Sequence, residues 1–387
     1  MTKIRLGVMA LVCATSTAAA QPKVNTVELA DRIVTKTAGI KEGEIVEISG
    51  GPQDLAFMED LAVAVRKAGA FPIVIYWSET AHKKLIDAVP EKYDGQTNAA
   101  ELAMAKTVNV RILLPAVRDA SILEKLPPAR QQKIAKANQI SNDTGLKRNV
   151  RVIELDNQLA PSAARAKTQG VTEADLAGMY WAGIGADYTA IEAKGNELKA
   201  ALAKGTEVRV THPNGTDVKF KVKGKKVLAS DGMLSPADIK AGGASVNVWL
   251  PAGEVYLVPV AGSMEGKIVD ERMIAFEKEI TGVTAEIKKG KITNISAKTG
   301  WDVIKPRYDA AGPQRDEVGV FDIGINPNIK PSPKLETFVA AGTVTFTTGN
   351  NVWAGGTSKE PFGLLFQLTG TTVTLDGKAI VEAGSLK

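Results

Sequence analysis

The sequence is poor in residues that carry much of enzyme chemistry. It has 387 residues but one cysteine, Cys13, and two histidines, His82 and His212, and its aromatic content is 5%. Cys13 lies within the first 20 residues, which we expect to be removed as a signal, so the mature chain would have neither a disulfide nor a sulfur-ligated zinc site. A Ser-His-Asp triad would need one of the histidines. His82 lies in a polar, lysine-rich segment, and His212 lies in a turn sequence, so we expect neither to be catalytic.

Long apolar runs are scarce as well. No run of about 18 apolar residues lies beyond the first 20 positions, which excludes a membrane-spanning helix from the rest of the chain. The first 20 positions have the pattern of a secretory signal: Lys3 and Arg5, an apolar run over 6–13, and small residues at 18–20. We expect cleavage after Ala20 and a secreted, periplasmic protein. A lipid-anchored form cleaved before Cys13 is the alternative, but the residues before Cys13 match that motif poorly.

Charge is not concentrated in any one region. The chain has 48 Lys+Arg and 43 Asp+Glu, and loss of the first 20 residues lowers its formal net charge from +5 to +3. This is too weak for a nucleic-acid-binding surface, so we expect no nucleic-acid partner. The one basic run, Lys-Val-Lys-Gly-Lys-Lys from Lys221 to Lys226, is interpreted as the solvated side of a hairpin that turns at Gly224.

The first half of the chain alternates between helical periodicity and short β-rich runs, which is typical of βαβ units around a mostly parallel sheet. Strands are predicted at 45–48, 72–77, 111–115 and 150–154. Helices are predicted at 27–37, 55–68, 79–88, 98–106 and 128–142, and over 172–204 with breaks at Gly178, Gly183 and Gly185. The turn at 48–52 follows a strand, but it lacks the glycine spacing and the lysine of a phosphate-binding loop, so we interpret it as a tight strand-to-helix turn.

The second half changes to short alternating strands. They are predicted at 207–211, 217–222, 247–250, 254–258, 283–287, 291–295, 318–323 and 342–347, with a last hairpin around Asp376 and Gly377. The sequence therefore predicts an α/β N-terminal domain with a mostly parallel sheet and a β-rich (α+β) C-terminal domain. We place the signal peptide at 1–20, the α/β domain at 21–205 and the β-rich domain at 206–387.

One segment suggests a site. In 247–259, Glu254 follows a Pro-Ala-Gly turn and begins an apolar strand, which would hold its carboxylate rigidly at a sheet end. On spacing alone an exposed strand-start glutamate is the safer interpretation. The Leu250-Pro251-Ala252-Gly253-Glu254-Val255 segment, however, resembles the thermophilic metalloaminopeptidase family of aminopeptidases T and S. Further similar segments follow in that family's order: Gly215-Thr216-Asp217, Gly324-Ile325-Asn326-Pro327, Gly342-Thr343-Val344, Gly355-Gly356, Pro361-Phe362 and Asp376-Gly377.

The resemblance implies a two-metal site that releases N-terminal residues from peptides, and frequent dimers. It assigns Glu254 as the first metal ligand. Glu317 and Asp322 are weaker candidates, because they are the acids closest to the position of the second ligand. The positions that the resemblance assigns to the other ligands carry Val320, Thr345, Val352, Gly363 and Leu365. Two divalent cations need several carboxylates and imidazoles at close range, so these substitutions predict that the metal site is largely lost.

Three functions remain open at this point. The first is a metal-free peptide-binding or scaffolding protein on the aminopeptidase fold, with no cofactor and a possible homodimer. The second is an active aminopeptidase with two divalent ions (Zn, Co, Mn or Mg) held by an altered ligand set, drawn from Glu254, Glu317, Asp322, Asp270, Glu271 and His212. The third is an envelope structural protein with no small ligand. Convergence of these acids on Glu254 would favour the second.

The signal sequence gives the first testable prediction. Protein recovered from the periplasm of a Gram-negative host should begin at Gln21, contain 367 residues and carry no thiol. Intact-mass measurement and N-terminal sequencing check this. An Ala18→Asp variant should keep its leader, because cleavage requires small residues at this place. Wild-type protein that keeps Met1 and stays in the cytoplasm would contradict the prediction.

Overall fold

The computed structural model describes residues 25–115, 122, 127–157, 159–275, 278–332 and 334–387, so the predicted signal at 1–20 lies outside the described residues. A five-stranded parallel sheet, here the parallel sheet, has the strand order β2-β1-β3-β4-β8. Its strands are β1 (Ile45–Gly50), β2 (Phe71–Tyr76), β3 (Val110–Leu113), β4 (Arg151–Glu154) and β8 (Asn247–Trp249). This confirms the predicted α/β region.

Ten α-helices are found in the described residues. They are α1 (Thr26–Arg32), α2 (Leu55–Lys67), α3 (Glu79–Ala88), α4 (Ala99–Thr107), α5 (Pro128–Lys147), α6 (Ala163–Gln169), α7 (Glu173–Ile184), α8 (Tyr188–Lys204), α9 (Pro236–Ala241) and α10 (Trp301–Ala310). Several begin with a side-chain cap. The hydroxyl groups of Ser78 and Thr172 and the carboxylate of Asp187 accept backbone N–H groups at the starts of α3, α7 and α8.

The glycines of the 172–204 segment have different roles from those predicted. The chain leaves the helix at Gly185, as predicted, but Gly178 and Gly183 lie inside α7, so the two other breaks are wrong. A Cβ on Gly183 would lie 2.5 Å from the side chain of Ile329 and 2.9 Å from that of Pro251. Gly183 therefore allows close packing between α7 and the loops around the second half's strands.

Two antiparallel sheets form most of the second half. The eight-stranded sheet has the order β12-β11-β10-β6-β5-β16-β17-β18, and the five-stranded sheet, here the inner sheet, has the order β15-β14-β13-β9-β7. Strands of the first are β5 (Glu207–Thr211), β6 (Asp217–Lys221), β10 (Glu265–Ala275), β11 (Lys278–Lys288), β12 (Lys291–Ser296), β16 (Thr372–Leu375), β17 (Lys378–Glu382) and β18 (Ser385–Leu386). Strands of the second are β7 (Val227–Ser230), β9 (Glu254–Leu257), β13 (Val318–Gly324), β14 (Val344–Thr348) and β15 (Leu365–Leu368).

This β-rich half agrees with the prediction in type but not in every connection. The basic run from Lys221 to Lys226 is not a hairpin, because β6 belongs to the eight-stranded sheet and β7 to the inner sheet. Gly224, with φ of 76°, makes the turn that carries the chain from one sheet to the other. Strands β7, β10 and β15 were not predicted. In β10 the alternation is hidden by Asp270, Glu271 and Arg272, whose burial is decided by partners elsewhere in the chain.

The boundary predicted near Gly205 stays a prediction. The chain does change there from helices to strands, but β8 comes later and pairs in parallel with β4, so the second half completes the parallel sheet. No described helix is long and apolar enough to cross a membrane.

Three phenylalanines hold the two antiparallel sheets together. Phe220 on β6 lies 4.9 Å from Phe321 on β13 and 6.0 Å from Phe346 on β14, measured between ring centroids. Phe321 and Phe346 are 5.5 Å apart, and all three side chains are fully buried. Mutual ring contacts of this kind add to the free energy of burying the apolar surface.

This contact gives the second prediction. Phe321→Ala should lower the free energy of unfolding by about 3–5 kcal/mol, because it leaves a cavity between the two sheets. Urea denaturation followed by circular dichroism measures the change. Phe71→Ala is the matched control: Phe71 is 54% exposed and contacts the Arg66 guanidinium, so its loss should cost about 1 kcal/mol or less. Equal losses in the two variants would contradict the assignment of the core.

Candidate functional site

A cavity lies where the parallel sheet meets the inner sheet. Strands β4 and β8 end at Glu154 and Trp249, and the turn after β8 leads to Glu254 at the start of β9. The cavity has a volume of about 320 Å³ and is lined by Glu154, Asp156, Asn157, Trp249, Glu254, Phe338 and Trp353. The carboxyl ends of parallel strands are the usual place for a ligand in α/β proteins, which makes this cavity the candidate site.

Glu254 is held in place by the backbone of the turn that precedes it. Gly253 has φ of 128°, and a Cβ there would lie 2.8 Å from the backbone N of Asn326. Asn326 is fully buried and donates from Nδ2 to the carbonyl oxygen of Ala252 at 2.6 Å. The N–H of Ile325 donates to the carbonyl oxygen of Gly253 at 2.7 Å. Gly253 of the 250–255 segment and Asn326 of the 324–327 segment are therefore both needed for one close backbone contact.

Glu254 meets a second acid, Asp322. Tyr256 pairs with Asp322 and Glu254 with Gly324 across β9 and β13, so the side chains of Glu254 and Asp322 project from the same face of the inner sheet. The two carboxyl groups are hydrogen-bonded to each other, and their residues are 7% and 2% exposed. Burial raises the pKa of both groups, and the charge of Glu254 raises the pKa of Asp322 further. A hydrogen bond between two carboxyl groups needs a proton on one of them, so the pair holds a proton between its oxygen atoms.

Hydroxyl groups lie on the neighbouring strands. Ser230 on β7 pairs with Glu254, and Thr345 on β14 pairs with Asp322. Ser230 Oγ, Thr345 Oγ1 and Asp322 Oδ1 are buried, and no hydrogen-bond partner is found for them among the described residues. Buried polar atoms normally have a partner, so this face of the inner sheet holds unused oxygen atoms around the carboxyl pair.

The other positions that the resemblance assigned to ligands lie on or near the same strands. Val320 is 1% exposed and packs against Tyr256. Leu365 pairs with Thr347 on β14, whereas Val352 is 46% exposed in the short helix that also carries Trp353. The position of Gly363 has little space, since a Cβ there would lie 2.6 Å from the carbonyl oxygen of Thr348. Among these positions only Thr345 carries an atom that could contact a cation.

The acids of the altered ligand set do not all converge on Glu254. Asp322 does, but Glu317 precedes β13, whereas Glu254 pairs with the last residue of that strand, so roughly 20 Å separates their backbones. Glu317 forms an ion pair with Lys291 at 3.2 Å instead. In the part of the chain that the structure describes, no three His, Cys, Asp or Glu side chains are close enough to hold a metal ion.

Asp270, Glu271 and His212 lie around a second, smaller cavity of about 110 Å³, together with Glu336. The Asp270 carboxylate accepts backbone N–H groups from Arg272 and Gln367, each at 3.0 Å. Burial raises the pKa of both Asp270 and Glu336 to about 7. His212 lies in the turn between β5 and β6, as predicted, and its Nδ1 accepts the N–H of Asn214.

Two other sequence features lie away from the cavity. His82 lies on α3, with its ring centroid 5.9 Å from that of Trp77. The turn after β1 leads through a 3₁₀ helix (Pro52–Asp54) into α2, and the N–H of Gly51 donates to the Asp54 carboxylate. That amide is therefore already used within the turn and does not offer an anion site.

Sequence reasoning missed most of the cavity wall. Glu154 and Trp249 were placed at strand ends, but no signal linked them to Phe338 and Trp353, which come from loops much later in the chain. The one available indication was the position of Glu154 at the carboxyl end of a predicted strand of the parallel sheet.

The second cavity gives the third prediction. Glu336 has a usual pKa of 4.5 and a folded-state pKa of about 7, because burial outweighs the attraction of Arg272 and Arg165 and nearby Asp270 repels its charge. Between these pH values the folded chain keeps a proton that the unfolded chain has released, so stability falls as pH rises from about 4.5 to 7. Glu336→Gln removes this loss. Its stability relative to wild type should increase over that range and then level off.

Urea denaturation at a series of pH values from 4 to 8 measures this difference. Glu382→Gln is the matched control, since the ion pair of Glu382 with Lys387 lowers the pKa of an exposed carboxyl group. Its effect should have the opposite sign, with the variant slightly less stable above pH 4.5. A flat difference for Glu336→Gln would show that its carboxyl group is already ionised at pH 5.

Comparison with known proteins places this chain in a family. Residues 23–310 match the thermophilic metalloprotease (M29) family. Wild-type AmpT from Thermus thermophilus is similar in structure, with 18% sequence identity, a TM-score of 0.70, and coverage of 94% of this chain and 98% of that one. The 2,5-dihydroxypyridine dioxygenase from Pseudomonas putida KT2440 is 14% identical with a TM-score of 0.57, over 94% of this chain and 96% of that one. No curated protein sequence matches at the threshold applied. The predicted resemblance is confirmed, and the chain belongs to the thermophilic metalloprotease (M29) family.

Proposed function

We propose that this protein is a non-catalytic member of its family that binds a peptide in the cavity beside Glu254. One observation carries the proposal: Glu254 is hydrogen-bonded to one other acid, Asp322, and no three His, Cys, Asp or Glu side chains of the described residues are close enough to hold a metal ion. The chain has the fold of its family and a cavity beside Glu254. Few side chains there could hold the metal ions that hydrolysis would need.

The residues present do not fit the two-metal centre that the family implies. Two divalent ions bring four positive charges and prefer several carboxylates and imidazoles at close range. Beside Glu254 and Asp322 the site offers the hydroxyl groups of Ser230 and Thr345, and neither histidine lines this cavity. Glu154 and Asp156 also line it, but Glu154 is hydrogen-bonded to Trp249 and Asp156 is paired with Arg165, and no three acids or histidines of the described residues are close enough to hold a metal ion.

A single hard cation is the second candidate, and the unused oxygen atoms favour it. Asp322 Oδ1, Ser230 Oγ and Thr345 Oγ1 have no hydrogen-bond partner among the described residues. Oxygen donors of this kind suit Mg²⁺, Mn²⁺ or Ca²⁺ better than Zn²⁺. In this alternative the protein is an active peptidase with an altered ligand set.

We also propose that the protein works outside the cytoplasm after cleavage at Ala20, on the evidence of the charged, apolar and small residues in its first 20 positions.

Metal retention is the fourth prediction and tests the loss of catalysis. After incubation with Zn²⁺, Co²⁺, Mn²⁺ or Mg²⁺ and extensive dialysis, the purified mature protein should retain far less than one ion per chain. It should release no amino acid from leucine p-nitroanilide. Elemental analysis by mass spectrometry and absorbance measure the two results, with a metal-dependent member of the family treated in parallel as the positive control.

Near-stoichiometric metal that disappears in a Glu254→Gln variant would overturn the proposal. The matched control is Asp217→Asn, because Asp217 is an exposed acid paired with Arg209 and should not affect metal content. Retention of Mn²⁺ or Mg²⁺ without Zn²⁺, together with hydrolysis, would establish the single-cation alternative. Peptide binding itself is tested by calorimetric titration with Leu-Gly-Gly in buffer containing EDTA, where absence of binding would contradict the peptide-binding part.

A further inference from the structure

The walls of the 320 Å³ cavity combine aromatic rings with acids. Trp249, Trp353 and Phe338 supply the rings, and Glu154, Asp156 and Glu254 supply the carboxyl groups. No lysine or arginine is among the described residues that line it. This is a local contrast, because the chain as a whole carries a formal net charge of +5.

The hydrogen-bonding edges of both tryptophans are already occupied. The Trp353 indole N–H donates to the carbonyl oxygen of Asn350 at 3.0 Å, and the Trp249 side chain is hydrogen-bonded to the Glu154 carboxylate. The ring centroids of Trp249 and Trp353 are 6.3 Å apart, with an angle of 74° between the ring planes. The rings contact each other edge to face, and Trp353 also lies 5.3 Å from the Tyr256 ring. What the two indoles have left to offer a ligand is therefore the part of their π surface that faces the cavity, whose negative potential attracts cations.

Glu154 is an acid without a cationic partner. Asp156 forms an ion pair with Arg165 at 2.7 Å, but no basic side chain of the described residues lies within ion-pair distance of Glu154. Glu154 is half-buried, and its pKa is raised by burial and by the nearby charge of Asp156. A bound cation would offset both effects, since it would supply the missing opposite charge.

We propose that this cavity binds an organic ammonium ion, held against the ring surfaces that Trp249 and Trp353 turn toward the cavity, with its charge facing Glu154. The volume is at the lower end for ligand cavities, which suits an ammonium group with a short apolar body. The proposal rests on the proposed function in one respect: it needs the cavity to be free of metal. The shared chemistry has two possible sources, the amino end of a peptide and a small free amine or quaternary ammonium compound.

The fifth prediction is selective binding of ammonium compounds by the metal-free protein. The mature protein in EDTA buffer is titrated with tetramethylammonium, choline, the neutral choline analogue 3,3-dimethylbutan-1-ol, Leu-Gly-Gly and N-acetyl-Leu-Gly-Gly. Calorimetry and tryptophan fluorescence are the readouts. We expect binding of the charged probes and little binding of the neutral alcohol or the acetylated peptide. Binding of Leu-Gly-Gly alone would identify a peptide amino end as the source, and binding of choline alone would identify a small ammonium compound.

Variants separate the two parts of the recognition. Trp353→Leu should weaken binding about 3- to 30-fold, because it removes one ring, and Trp353→Phe should restore part of it. Glu154→Gln should weaken binding roughly tenfold, because a charge-assisted contact is lost. Trp77→Leu is the control, as Trp77 follows β2, two strands away from β3 and three from β4 in the parallel sheet. Circular dichroism establishes that each variant is folded.

Two results would overturn the proposal: equal affinity for choline and its neutral analogue, or no binding of any charged probe by the folded wild-type protein. These results differ from failure of the proposed function. Retained metal with hydrolysis would refute the non-catalytic function alone, and choline binding without Leu-Gly-Gly binding would refute its peptide ligand while leaving the ammonium site in place.

Discussion

The buried side chain of Asn326, which lies in close contact with Gly253, connects the two halves of this protein. The buried amide of Asn326 donates to the carbonyl oxygen of Ala252 and, at 3.1 Å, to that of Gly183 in α7. A single side chain thus ties the turn after the parallel sheet to a helix of the first half and to the end of a strand of the inner sheet. The direction of Glu254, the shape of the cavity and the separation of its walls all follow from this contact, because buried hydrogen bonds of this kind admit one arrangement.

The carboxyl pair shows how strand register brings two acids together. Glu254 lies at the start of β9, Asp322 lies diagonally across from it on β13, and the next strand offers the hydroxyl of Thr345. Two buried acids a strand apart cannot both ionise without a cation, so a proton occupies the place between them. The fold is similar to those of both AmpT and a dioxygenase, and a fold by itself does not fix a reaction, because the side chains at the site decide it.

The two cavities differ in what their acids do. In the smaller one, Asp270 is satisfied by two backbone N–H groups, so its carboxyl group joins β10 to β15 and has a structural role. In the larger one, Glu154 has an indole partner and faces open volume between aromatic rings. An acid already satisfied by the backbone has little left to offer a ligand, whereas one that lacks an opposite charge gains from binding a cation.

The sequence by itself determined the order of the elements, the parallel and β-rich halves, the family, and the place of Glu254 at a strand start. These follow from local periodicity, turn residues and short motifs, which are read over a few neighbouring positions. The sequence did not show that β8 joins the parallel sheet, that the basic run at 221–226 crosses between sheets, or that Asp322 and not Glu317 faces Glu254. Only tertiary structure decided those points. A shift of one residue in strand pairing turns every side chain of the strand to the opposite face of the sheet. The cavity wall also depends on tertiary structure, because Glu154, Trp249 and Trp353 are far apart in the chain and packing brings them together.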